Sequence, residues 1–197
     1  MLGIPLGLLY ANAGEWFIHK HVLHGPDSRK PGGMWSFHFL EHHRSSRLKE
    51  MYDPDYQRSV FGNHAQGKEA AALALAALIH APLFPVAPFF TATVLYSIAN
   101  YYRKHKKSHE DPQWAREHLP WHYDHHMGPD QHKNWGVTRP WFDHIMGTRV
   151  PYVGTELEKQ DRERRERAKA RKAAAAANGT SAADAAAPEN EDGREAA

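Results

Sequence analysis

Two apolar stretches stand out along the chain, at positions 2–18 and 70–102. The first is marginal as a membrane-spanning helix, because spanning takes about 20 apolar residues. The second is long for one span and short for two, and Pro82, Pro85 and Pro88 interrupt its middle. Since each proline removes a backbone donor and obstructs the helix, the pattern predicts a hairpin of two short helices at about 69–102.

Basic residues on both sides of this hairpin predict its orientation. Lys68 precedes it, and four Lys or Arg residues follow it at 103–107. Positive charge on both flanks favours placing both on the cytoplasmic side of a membrane. We therefore expect the hairpin to enter the bilayer and return to the cytoplasmic side.

Other interpretations of the two stretches stay open. Segment 70–102 could be a buried helical pair in a soluble protein. Segment 2–18 could be a signal peptide, because Ala11-Asn12-Ala13 resembles a small-residue cleavage site, although a basic leader is absent. It could also be the end of a membrane segment that starts upstream.

The composition changes beyond residue 154. Charged residues and alanines dominate 156–177, which is typical of a solvated helix, and the remainder to residue 197 is of low complexity. No strand pattern is convincing. The sequence thus predicts an all-α protein with two parts. Residues 1–154 form a membrane-embedded domain whose helical cap lies in the cytosol, and 155–197 form a charged tail that passes from helix to disorder.

Histidine is the anomaly of the composition, with sixteen in 197 residues and no cysteine. The lack of cysteine excludes a disulfide scaffold, thiolate zinc sites and cysteine-ligated iron–sulfur clusters. A net charge of +2 and the lack of a nucleic-acid motif argue against a nucleic-acid partner. Ten of the histidines fall into four groups. These are His19 with His24; His38 with His42 and His43; His105 with His109; and His122 with His125 and His126.

The spacing within these groups indicates metal ligands. Residues three or four apart share one face of an α-helix. His24 lies five residues after His19, so we expect it to turn inward where its helix ends, before Gly25-Pro26. Adjacent histidines point two ways and can each reach a different ion. Ten imidazoles suit two metals, and zinc, copper, iron and nickel all accept imidazole.

Carboxylates near the groups are candidates to orient the imidazoles and complete the catalytic centre. They are Glu15, Glu41 and Asp124. Two histidine groups precede the hairpin and two follow it. A hairpin, unlike a single span, brings all four to one side of a membrane, in agreement with the flanking charges.

The order of these features resembles the fatty acid hydroxylase / sterol desaturase superfamily of membrane di-iron oxygenases. The resemblance rests on four ordered histidine boxes with a hydrophobic hairpin between the second and the third. A closing segment supports it. That segment reads Asn134-Trp135-Gly136-Val137-Thr138, then Trp141-Phe142-Asp143 and Gly147-Thr148.

The resemblance implies an enzyme in which the ten histidines hold two iron ions, which zinc can replace in isolated protein. With O2 as co-substrate, such an oxidoreductase hydroxylates or desaturates a membrane lipid such as a fatty acyl chain or a sterol. It implies an integral membrane protein with a cytoplasmic catalytic face and an external electron donor of the cytochrome b5 or ferredoxin type. The residues themselves do not identify the lipid, the choice of reaction or the oligomeric state.

Two other classes of function compete with this one. A non-catalytic membrane metal-binding or transport protein would need polar residues within its spans. The hairpin offers only His80 and Asn100. A zinc hydrolase would need an H-E-x-x-H helix, and the sequence has none.

Overall fold

The computed structural model describes residues 2–177, and every regular element in that range is helical. The predicted all-α class is therefore confirmed. The disorder expected at the end of the tail falls outside the described residues. The α-helices are α1 (Gly3–Ile18), α2 (Arg44–Leu48), α3 (Ala65–His80), α4 (Pro88–Glu110), α5 (Pro112–His118), α6 (Pro120–Met127), α7 (Trp141–Ile145) and α8 (Glu156–Ala177).

The chain divides into two compact units at the bond between Val153 and Gly154. The first unit contains α1 to α7 and every histidine. The second contains α8, along which ion pairs join residues three or four positions apart, as between Arg164 and Asp161 at 2.8 Å. Such pairs are typical of a solvated charged helix.

Helices α1 and α4 lie side by side and run in the same direction. Gly3 lies against Phe90 and Gly7 against Thr93. A Cβ atom on Gly7 would lie 2.8 Å from Cβ of Thr93, so only glycine allows this approach. Each helix has candidate metal ligands near its C-terminal end: His19 follows α1, and His105 and His109 lie on α4. At 1.5 Å per residue, the 16 residues of α1 span about 24 Å.

The predicted pair of helices is present as α3 and α4, joined through a 3-10 turn at Ala81–Leu83. α4 continues beyond the apolar stretch to Glu110, so that His105 and His109 lie on the same helix as the second arm of the hairpin. Of the helices in residues 2–177, none combines the length and apolar character needed to cross a membrane.

Imidazoles form much of the interior of the first unit. Its apolar core cluster is small, with Met51, Ala115, Tyr123, Met127 and Tyr152 as members. Six histidines are among its largest fully buried side chains; they are His19, His42, His43, His105, His109 and His122. Because burying polar groups without partners is costly, this interior requires a compensating interaction at the imidazoles.

Candidate metal centre

The ten predicted ligand histidines are all buried, and nine of them form two groups whose candidate ligand atoms lie within 4.8 Å of one another. Cluster 1 consists of His19, His24, His38, His43 and His125. Cluster 2 consists of His42, His105, His109 and His126. The tenth, His122, places its Nε2 atom 3.2 Å from Nε2 of His109, beside cluster 2. The arrangement offers two metal positions with about equal numbers of imidazoles.

Two π-helical turns bring together histidines that are five residues apart. The turn at His19–Leu23 is closed by the backbone N–H of His24, which donates to the carbonyl of His19 at 3.0 Å. In the turn at Phe37–His43, the Nε2 atoms of His38 and His43 lie 3.3 Å apart. In an α-helix, residues five apart would point about 140° away from each other. His24 follows the last residue of its turn, so the end of the helix and the wider register together direct this ring inward.

Adjacent histidines point to different clusters. His42 belongs to cluster 2 and His43 to cluster 1, and His126 and His125 divide in the same way. The rings of His43 and His126 stack with centroids 4.2 Å apart, where the clusters meet. His38 and His42, which α-helical spacing would direct to one metal, also divide between the clusters. The π-helical register pairs His38 with His43 instead.

Backbone carbonyls fix the orientation of three imidazoles. Nδ1 of His19 donates to the carbonyl of Trp135 at 2.6 Å, and Nδ1 of His125 to that of Lys133 at 2.7 Å. Nδ1 of His109 donates to the carbonyl of Met51 at 2.8 Å. Because a carbonyl can only accept, the proton of each neutral ring is on Nδ1, and Nε2 keeps its lone pair for a metal.

Two carboxylates orient imidazoles of cluster 2. Asp53 accepts from Nδ1 of His42 at 2.8 Å, and Glu69 accepts from Nδ1 of His105 at 2.8 Å. The hydroxyl of Tyr56 contacts both Glu69 and Nδ1 of His105. The histidine spacing gave no signal for either carboxylate, because they lie 11 and 36 residues from their partners along the chain.

The sequence comparisons identify the family. The family model described as fatty acid hydroxylase matches residues 4–148. The chain belongs to the fatty acid hydroxylase family. This confirms the resemblance drawn from the histidine boxes, since the match spans both clusters and the hairpin. No curated protein and no solved structure matches the chain. Membership indicates an iron-dependent oxidoreductase of this superfamily, and the buried histidine clusters fit metal binding.

Glu15, predicted to orient an imidazole, instead contacts the loop that carries the closing segment of the family. Its carboxylate accepts from the backbone N–H of Val137 and Thr138 and from the hydroxyl of Thr138, the last at 2.8 Å. Burial raises the pKa of the Glu15 carboxyl to about 7, against the lowering effect of these hydrogen bonds. The contact fixes the position of α1 relative to loop 133–138.

The other two candidate carboxylates also have partners other than imidazole. Asp124 is buried, pairs with the guanidinium of Arg149 at 2.6 Å and accepts from the backbone N–H of Val153 at 2.7 Å. Glu41 is exposed and lies 3.7 Å from Nζ of Lys68. The contacts of Asp124 join α6, which carries three of the histidines, to the end of the first unit.

Asp143, which was not among the candidates, organises the same loop. Its buried carboxylate accepts from the backbone N–H groups of Trp135 and Gly136, both at 2.8 Å, and from the hydroxyl of Thr148 at 2.7 Å. Loop 133–138 supplies the two carbonyls that orient His19 and His125. Asp143 therefore acts on cluster 1 through the backbone.

The electrostatics of the clusters fit the metal that the family requires. Burial, reinforced by neighbouring imidazoles, lowers the pKa of His38, His43 and His126 well below the ordinary value. Burial also lowers the pKa of His19 to about 3. These rings are therefore neutral at pH 7, as metal ligation requires.

Several ring nitrogens of cluster 2 are buried without a hydrogen-bond partner. Nε2 of His42 and of His105, and both ring nitrogens of His126, have no hydrogen-bond partner among the described residues. Such buried polar atoms would cost stability unless something binds them. A cation within cluster 2 would accept one lone pair from each of these three rings.

Proposed function

We propose that this protein is an O2-dependent di-iron oxidoreductase that hydroxylates, or desaturates, a membrane lipid such as a fatty acyl chain or a sterol. The observation that carries the proposal is the pair of clusters of buried imidazoles, within a chain that belongs to the fatty acid hydroxylase family. Imidazole is a suitable ligand for iron. When bound, the iron pair would supply the redox chemistry that uses O2 and external electrons to oxidise a C–H bond.

The residues of the chain prepare the centre in two ways. Their burial keeps bulk water from the imidazoles, and the carbonyls and carboxylates at Nδ1 direct the Nε2 lone pairs inward. Such outer hydrogen bonds raise ligand basicity and fix the ring orientation. The chain would therefore bind iron without a large rearrangement of its side chains.

Exposed apolar side chains support a membrane location. Leu78 on α3, Val86 in the turn and Phe89 on α4 are 70%, 81% and 56% exposed, and Leu2 at the start of α1 is 78% exposed. Patches of this kind mark interaction sites for membranes or proteins. We propose that this end of the first unit lies in the bilayer, with the catalytic face cytoplasmic. Electrons would come from an external donor of the cytochrome b5 or ferredoxin type.

Metal analysis combined with lipid analysis tests the proposal. Protein purified from iron-supplied cells should contain two metal ions per chain. Cells that make it under oxygen should accumulate a lipid 16 mass units heavier, or 2 lighter, than its precursor (one O gained or two H lost). His109→Ala should abolish the product, whereas His144→Ala, at an exposed position, should not. Metal-loaded protein that changes no lipid would instead favour a metal-binding or transport protein.

Cysteine labelling tests the orientation, because the natural chain contains no cysteine. Single cysteines in place of Lys68 and Lys107 should both react with an impermeant reagent applied from the cytoplasmic side. Reaction from opposite sides would refute the proposed orientation.

A further inference from the structure

We infer that the two metal positions are inequivalent, and that cluster 2 binds its ion more tightly than cluster 1 because Asp53 and Glu69 place negative charge directly behind its imidazoles. The inference rests on the metal centre of the proposed function. It assigns Asp53 and Glu69 as positioning residues that also set the affinity of one metal position.

Two of the imidazoles of cluster 2 donate to carboxylates, whereas His109 donates to a backbone carbonyl. Asp53 is 2% exposed and receives the Nδ1 proton of His42, and Glu69, whose side chain is 12% exposed, receives that of His105. The hydroxyl of Ser45 also donates to Asp53, at 3.1 Å. Hydrogen bonds to ionised groups are stronger than neutral ones, and a carboxylate behind an imidazole makes it a better donor to metal. Two anions in a dry interior therefore favour a cation in this cluster.

The hydrogen bonds of cluster 1 are neutral. His19 and His125 donate to backbone carbonyls, and Nδ1 of His43 lies 3.2 Å from the side-chain amide of Gln131. None of these partners carries a charge. Cluster 1 therefore lacks, at these three rings, the anionic support that cluster 2 has.

Cations lie near both clusters. The guanidinium of Arg29 contacts His132, beside His24 of cluster 1, and that of Arg47 donates to the backbone carbonyl of His126 in cluster 2 at 2.9 Å. Positive side chains therefore do not distinguish the two positions, and the inference rests on the two carboxylates behind the imidazoles of cluster 2.

Removing an outer partner of this kind typically costs about 10–100-fold in metal affinity. Asp53→Asn and Glu69→Gln keep the size of each side chain and remove its charge. Each should weaken the tighter position by about 10–100-fold and leave the weaker one nearly unchanged. Two variants on separate segments guard against one of them failing to fold.

Stepwise titration of the metal-free full chain with Zn²⁺, against a chelating indicator, measures both positions. We expect two steps in the wild type. His109→Ala should remove the tighter step and His19→Ala the weaker one, which assigns them to clusters 2 and 1. Glu117→Gln, at an exposed position, is the matched control and should change neither step.

The outcomes separate the inference from the proposed function. If no Zn²⁺ binds, the proposed function fails. If two ions bind with one indistinguishable affinity, or if the charge-removing variants weaken only the position lost in His19→Ala, the proposed function stands and the inequivalence is refuted. If the tighter position weakens alone, and Asp53→Glu restores its affinity, the inference is supported.

Discussion

The hydrogen bonds of Asp143 allow a quantitative prediction for Asp143→Asn. One carboxylate oxygen accepts from both the N–H of Trp135 and the hydroxyl of Thr148, and the other accepts from the N–H of Gly136. An asparagine can keep the first two bonds through its oxygen. Its amide nitrogen then faces the N–H of Gly136, so that two donors meet without an acceptor.

The expected cost follows from the burial of this site, since Asp143 is 0% exposed. Losing one hydrogen bond to a charged group costs about 1.5–3 kcal/mol, and leaving a buried N–H unsatisfied adds about 1–3 kcal/mol. Because these contributions overlap, we expect the free energy of unfolding to fall by about 3 kcal/mol. In a unit of this size the melting temperature should fall by roughly 6–12 °C.

Urea unfolding followed by circular dichroism, at saturating metal, measures this change. Asp130→Asn is the matched control, because Asp130 is exposed and its carboxylate accepts from the backbone N–H of His132 in an adjoining turn. The control should cost under about 1 kcal/mol. If Asp143→Asn costs no more than Asp130→Asn, the carboxylate of Asp143 does not hold loop 133–138 as argued.

Asp143→Asn should also affect the two metal positions unequally. The loop that it holds carries the carbonyls that orient His19 and His125, both of cluster 1. The weaker metal step should therefore become weaker still, while the tighter step is unchanged. Equal losses at both steps would indicate general unfolding rather than an effect through the loop.

Further predictions concern α1 and its neighbours. Gly7→Ala should destabilise the protein by about 1–3 kcal/mol through its clash with Thr93, whereas Gly14→Ala, with no atom within 4 Å of its new Cβ, should stabilise it by about 0.5–1 kcal/mol. Thermal melts that rank the two variants in the opposite order would contradict the packing of α1 on α4. For Glu15, burial raises the folded-state pKa from 4.5 to about 7. The stability that its protonated form contributes is therefore present below pH 4.5 and lost as pH rises through 7. Between pH 5.5 and pH 8, the free energy of unfolding should fall less in Glu15→Gln than in the wild type. Equal falls in the two proteins would refute the raised pKa of Glu15.

Local spacing predicted much of the fold because the relevant signals are local. Apolar stretches with three prolines between them gave the helical pair, which appears as α3 and α4. Adjacent histidines were predicted to point two ways, and they divide between clusters 1 and 2, since neighbours on a helix cannot point to one place. These inferences needed only backbone geometry and the size of an imidazole.

The π-helical turns escaped prediction because their sequences have no general signature that separates them from an α-helix. The two histidine pairs that are five residues apart, one ending at His24 and one at His43, were the available signal. A π-turn is costly in isolation and is frequent at functional sites. Here the shared ligand position offsets that cost. A histidine spacing of five on a helix is thus itself an indication of a π-turn.

The outer partners escaped prediction for another reason. Asp53, Glu69 and Asp143 reach the imidazoles or their loop only after the chain has folded, across separations that no helical period relates. Nearness in sequence favoured Glu15, Glu41 and Asp124. The first and the last of these accept hydrogen bonds from loop backbone, and Glu41 lies beside a surface lysine. Tertiary contact, rather than spacing, decides which carboxylate supports a ligand.

Folding and metal binding are coupled in such a structure. The apolar core of the first unit is small, and neutral imidazoles fill the space beside it. Nε2 of His42 and Nε2 of His105 are buried and have no hydrogen-bond partner among the described residues, which costs stability. A bound ion turns this cost into a set of bonds, and ligand at 100 times its dissociation constant adds about 2.7 kcal/mol to stability. The histidines that prepare the chemistry therefore also stabilise the fold, and the tighter position contributes the larger share.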